Sequence, residues 1–141
     1  MSRLFWDTNL FIYLLEDYGK FSEKTAALLE RLKARGDELC TSTLTIGEAL
    51  VKPLEAGDTE RAEKYERAIG PPTVSVIPFD RACARIYARL RQDRTLRAPD
   101  AMQLACAAQA ACNLFITNDD RLSRKVVPGI DFITSLDRAF L

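Results

Sequence analysis

The sequence predicts an α/β domain with a mainly parallel sheet flanked by helices, on three observations. Leu4-Phe5-Trp6 is a short apolar run, suited to a buried strand, that stops abruptly at Asp7-Thr8-Asn9. Short β-prone runs then alternate with longer helical stretches along the chain. One of those helical stretches, Ala101 to Cys112, is apolar nearly all round, as a helix packed on a sheet should be.

In chain order, Leu10 to Leu15 is the apolar start of a first helix. Ser22 is placed to cap a second helix, with Ala26, Leu28, Leu29 and Leu32 facing inward and Gly36 closing it. Glu38 to Ser42 reads as a second strand. A third helix is expected from about Thr45 to Ala56, with Pro53 breaking or kinking it. Asp58 begins a highly charged helix from Thr59 to Ile69. Gly70-Pro71-Pro72 joins elements and leads into a β-branched strand, Thr73 to Ile77. Asp80 can cap the next helix, where Cys83, Ile86, Tyr87 and Leu90 recur at helical spacing. Ala98-Pro99-Asp100 opens the apolar helix with proline in its first turn. Leu114 to Thr117 is the next strand, ending at Asn118-Asp119-Asp120, and a last short strand is expected near Ile130 to Ile133.

Composition bounds the chemistry. A chain of 141 residues, 48% apolar and 28% charged, is expected to form one globular domain over residues 1–141 that buries about two-thirds of its unfolded surface. No run approaches membrane-spanning length and the N-terminus carries no basic-then-apolar signal, so a cytoplasmic protein is expected. Cysteines 40, 83, 106 and 112 form no Cys-x-x-Cys pair and read as small buried apolar residues. Histidine is absent, which removes histidine-based triads, histidine-paired ribonuclease chemistry and mixed Cys/His zinc sites. Catalysis would have to come from carboxylates, hydroxyls, lysine or arginine, with a hard metal ion. The formal net charge of zero gives no global attraction to nucleic acid.

Four acids recur at one kind of place. Asp7 and Asp119 follow strands, Glu48 sits early in the helix after the second strand, and Asp100 opens the apolar helix. Strand ends and the starts of following helices share one edge of a parallel sheet, so the four can converge. Each also has a local explanation: Thr45-x-x-Glu48 has the form of a capping box, Asp100 suits a helix N-terminus, and Asp7 and Asp119 suit turns. Two carboxylates about 4 Å apart repel by roughly 4 kcal/mol at an effective dielectric of 20. A converged set therefore calls for a cation, and all-oxygen sites suit Mg²⁺ or Mn²⁺. Such an ion can acidify water, polarise a phosphoryl oxygen and steady a leaving alkoxide.

Phe5-Trp6-Asp7-Thr8-Asn9, Glu48 within Thr45 to Leu50, Pro99 to Ala105, and Phe115 to Asp119 together resemble the four ordered motifs of PIN-domain proteins. In size and spacing they are similar to the VapC ribonuclease toxins of toxin–antitoxin pairs. The resemblance implies a three-layer fold and a Mg²⁺ or Mn²⁺ site formed by Asp7, Glu48, Asp100 and Asp119. It also implies endonucleolytic RNA cleavage, a homodimer and a VapB-like antitoxin, with Asn9 and Thr117 orienting carboxylates or water. Asp120 stands beside Asp119 as an additional carboxylate outside the motif.

Six arginines (81, 85, 89, 91, 94 and 97) accompany a single acid, Asp93, between residues 81 and 97. They form either a solvated helix face or a phosphate-contacting one, and Arg94 and Arg97 stand nearest Asp100. Two other readings remain open. A phosphatase-like α/β hydrolase would use Asp7 as nucleophile, although Asn9 replaces the second acid of an Asp-x-Asp pair. A catalytically inactive PIN-fold interaction module would keep the fold without the chemistry.

Overall fold

The fold is given by a computed structural model, which describes residues 1–139. Five parallel strands form one sheet: β1 (Arg3–Trp6), β2 (Glu38–Ser42), β3 (Val74–Ile77), β4 (Leu114–Thr117) and β5 (Phe132–Ser135). Their spatial order is β3-β2-β1-β4-β5. The chain starts in the middle of the sheet, builds outward through β2 and β3, then returns to the other side of β1. Between β1 and β4 the direction of winding reverses, and ligands of open α/β sheets bind outside the strand ends at such a point.

Six helices connect the strands: α1 (Thr8–Leu15), α2 (Lys20–Arg35), α3 (Thr43–Glu55), α4 (Thr59–Ala68), α5 (Arg81–Leu90) and α6 (Ala98–Gln109). Strand alternation divides the core between the two faces of the sheet. Leu4 and Trp6 pack with Leu10, Phe11, Leu28 and Leu32 on one side. Phe5 packs with Cys83, Leu104 and Phe115 on the other, its ring stacked on that of Phe115 at 5.0 Å. All four cysteines are free and buried. Among the described residues no helix is long and apolar enough to cross a membrane.

Several expectations need correction. Helix α2 begins at Lys20, so Ser22 lies inside it; the Ser22 hydroxyl instead donates to the Glu16 carbonyl at 2.8 Å and accepts from Tyr18 N–H. Thr25 takes the inward position expected of Ala26, which is exposed, because its hydroxyl returns to the Phe21 carbonyl at 2.7 Å and carries no unpaired polar atom inward. Helix α3 runs through Pro53 for two more residues; being near the helix end, the proline removes little of the ladder. Helix α6 stops at Gln109, leaving Cys112 beyond it, with Ala111 at a positive φ of 54° in the turn. Strand β5 starts two residues later than expected, set by its register with β4, Leu114 opposite Phe132.

Candidate metal centre

Asp7 is fixed where β1 meets α1. Its backbone N–H still bonds β4, reaching the Ile116 carbonyl at 3.0 Å. Its carboxylate caps α1 by accepting Thr8 N–H at 2.8 Å, and accepts the Thr117 hydroxyl at 2.9 Å through the other oxygen. Burial raises its carboxyl above the ordinary 3.8 to about 6. The two hydrogen bonds pull the other way, and the charges of Asp100 and Glu48 push it up further.

Glu48 does not belong to a capping box. Ser42 holds the N-cap position of α3, and Thr45 is the third residue inside the helix. Thr45 is instead buried in a polar cluster. Its hydroxyl oxygen lies 2.8 Å from Thr41 Oγ1 and accepts Gln103 Nε2–H at 2.7 Å. The Gln103 amide also approaches Thr8 Oγ1 at 3.2 Å, and its carbonyl accepts the Ser42 hydroxyl. Thr8 in turn donates to Glu48 Oε1 at 2.5 Å. A chain of hydrogen bonds thus runs from the buried α6 glutamine to the Glu48 carboxylate. The sequence assigns no role to Gln103 or Thr8, and gives Thr45 only the capping role that the structure excludes. The available signal was a glutamine on an otherwise apolar helix.

Asp100 occupies the first turn of α6, behind Pro99. Asp119 follows β4, where its Oδ1 accepts the backbone N–H groups of Arg121 at 2.9 Å and Leu122 at 3.4 Å, and its own N–H donates to Thr117 Oγ1 at 3.1 Å. The turn is therefore capped by Asp119, whereas Asp120, the additional carboxylate outside the motif, is exposed.

The four acids line one pocket of about 530 Å³, together with Thr8, Asn9, Lys52, Arg97 and Gln103. Arg97 reaches both Asp100, Nε to Oδ2 at 3.2 Å, and Asp119, at 3.7 Å. Arg94 is exposed and is not among the lining residues, and Arg81, Arg85 and Arg89 are exposed along α5. A larger cleft of about 910 Å³ shares Glu16 and Tyr18 with this pocket but contains none of the four acids.

Among the described residues no three acidic, cysteine or histidine side chains are close enough to hold a metal as they stand. The donor set nevertheless fits a hard cation. It is all oxygen, it carries a guanidinium between two of its acids, and Mg²⁺ needs only one or two carboxylates because it keeps several waters.

Acids from four separate segments, gathered where a parallel sheet reverses its winding, define an α/β protein with an acidic strand-end pocket. The chain belongs to the PIN domain family, whose model matches residues 4–127. No curated protein matches it by sequence. Its fold is similar to that in the structure of VapBC2 from Rickettsia felis bound to a DNA fragment from their promoter, with a TM-score of 0.75 at 16% identity over 94% of this chain and 98% of that one. DNA-bound VapBC from Salmonella typhimurium gives 0.74 at 18% identity over 96% and 99%. FitAcB from Neisseria gonorrhoeae gives 0.69 at 20% identity over 96% and 99%.

Proposed function

We propose that this chain is a metal-dependent endoribonuclease and the toxin of a VapBC-type toxin–antitoxin pair. The observation that carries the reading is the convergence of Asp7, Glu48, Asp100 and Asp119 on one pocket in a PIN-family chain. These four residues would hold Mg²⁺ or Mn²⁺. The ion supplies charge neutralisation and Lewis acidity toward a phosphodiester. In the metal-free protein burial and the charges of Asp100 and Glu48 raise the Asp7 carboxyl to about 6, so the acids would need a cation to be ionised together. Thr117 and the Thr8–Gln103 network hold Asp7 and Glu48 in place, and Asn9 lines the same pocket. Arg97, with Arg94 nearby, would meet the RNA backbone. The VapBC complexes among the similar folds support a VapB-like antitoxin as partner, and a cytoplasmic homodimer completes the reading.

The test is cleavage of an RNA panel by purified protein across a Mn²⁺ titration. Cleavage that needs Mn²⁺ and disappears in Asp100→Asn supports the assignment. A folded protein that neither binds Mn²⁺ nor cuts any RNA would leave the inactive interaction module as the correct reading.

A further inference from the structure

We propose that Arg97 is a built-in counter-cation. In the metal-free protein its guanidinium takes the position between Asp100 and Asp119 that a divalent ion would share, so that Arg97 sets the metal affinity. The inference rests on the metal-site reading above and adds a regulator to it.

Local helix energetics do not account for an arginine at this position. Arg97 is the N-cap of α6, with φ −76° and ψ 156°, and its side chain makes no capping hydrogen bond. N-caps favour serine, threonine, aspartate and asparagine, whose side chains accept the free N–H groups. Arginine has no acceptor to offer and adds positive charge to the positive end of the helix. Its side chain turns instead into the pocket and spans the two acids. Nothing else among the described residues pairs with both.

The partners differ in freedom. The side chains of Asp100 and Asp119 are 17% and 24% exposed, whereas that of Arg97 is 65% exposed. Asp119 is further held by the N–H groups of Arg121 and Leu122. Asp119 is thus anchored independently of Arg97, Asp100 is partly enclosed in the first turn of α6, and the guanidinium is the most exposed of the three groups. An exposed ion pair changes an equilibrium by roughly 1.5- to 5-fold, so two such contacts amount to about 2- to 25-fold.

Calorimetric Mn²⁺ binding to the intact protein, with thermal unfolding in EDTA and in saturating Mn²⁺, tests this. Arg97→Gln should bind Mn²⁺ about 2- to 25-fold more tightly. It should also unfold at a lower temperature than wild type in EDTA, and that gap should close in saturating Mn²⁺. Arg97→Lys keeps the charge but has no fork to span two carboxylates, and should fall between the two. Arg121→Gln removes a charge 3.7 Å from Asp119 without breaking the bridge, and should change affinity less than Arg97→Gln. An unchanged Kd in Arg97→Gln overturns the proposal. So does wild-type affinity in Arg97→Lys, or an Arg121→Gln effect as large as that of Arg97→Gln, since either would reduce it to a general charge effect. Absence of Mn²⁺ binding in wild type and variants alike is a separate outcome, which removes the metal site and this proposal with it.

Discussion

Thr117 Oγ1 stands 2.9 Å from Asp7 Oδ2 and accepts the Asp119 N–H at 3.1 Å, so one hydroxyl at the end of β4 ties together two acids that lie on neighbouring strand ends. Replacing Thr117 by valine keeps the shape and removes both bonds. Activity should fall about 10- to 100-fold, as for other residues that orient ligands. Thr117→Ser should retain most of it. Equal rates for the valine variant and wild type, measured as kcat/KM over a Mn²⁺ series, would leave Thr117 a packing residue.

Asp7→Asn should lower the cleavage rate at least ~100-fold, about 2.7 kcal/mol of transition-state stabilisation. Its effect on stability should have the opposite sign. A carboxyl raised from 3.8 to about 6 makes the folded protein bind protons more tightly than the unfolded chain. The resulting penalty is absent below about pH 4, grows as pH rises through 6 and is complete above it. In EDTA at pH 7.5 the variant should therefore be more stable by about 1–3 kcal/mol, and the gain should vanish near pH 4. Denaturant unfolding at the two pH values checks this; a gain that does not change with pH would point to a cause other than Asp7 ionisation.

Asp119 and Asp120 should separate cleanly. Asp119→Asn is expected to abolish Mn²⁺-dependent cleavage and, by weakening the cap on Arg121 and Leu122, to cost roughly 0.5–1 kcal/mol of stability. Asp120→Asn should retain most activity, with stability within about 0.5 kcal/mol of wild type. Matched assays at saturating Mn²⁺ decide it. Inactivity of the Asp120 variant alone would shift the motif by one residue.

Gln103→Leu should destabilise the fold by about 1–3 kcal/mol, because the hydroxyls of Ser42, Thr45 and Thr8 lose a buried partner. It should also weaken Mn²⁺ binding, since Thr8 would no longer be held against Glu48. Destabilisation with unchanged Mn²⁺ affinity would confine Gln103 to packing.

Arg94→Ala and Arg97→Ala should each reduce the salt dependence of RNA binding by about 0.7 in slope if the residue holds a phosphate. Filter binding of a catalytically silenced protein across a salt series reads this directly. An unchanged slope for Arg94→Ala would return that residue to the solvated surface.

The acids were legible in the sequence because their positions are local events. A strand of three or four apolar residues ending at Asp7 or Asp119, or a helix opening at Pro99-Asp100, needs no knowledge of the rest of the chain. Glu48 was legible only as one of two possibilities, since the spacing from Thr45 imitates a capping box. What excludes the box is that Ser42 ends β2 and starts α3 with no intervening loop. The Gln103 network was not legible, because it joins residues 42, 45, 8 and 103, whose nearness depends on how α3 and α6 meet above the strand ends. The bridging by Arg97 was hidden for a similar reason: charge counting places it near Asp100 but not across to Asp119.

The position of β1 also bears on the life of the chain on the ribosome. Within this sheet the earliest strand, β1, is the middle one, and one of its two neighbours, β4, begins at residue 114. Until that segment emerges, β1 keeps an unpaired edge, and Asp7 lacks both Thr117 and Asp119. During synthesis at about 5–20 residues per second, the nascent chain passes several seconds with the pocket half built. The pocket is complete only once the residues from Leu114 to Asp119 have been added, so whatever chemistry it supports is withheld until then.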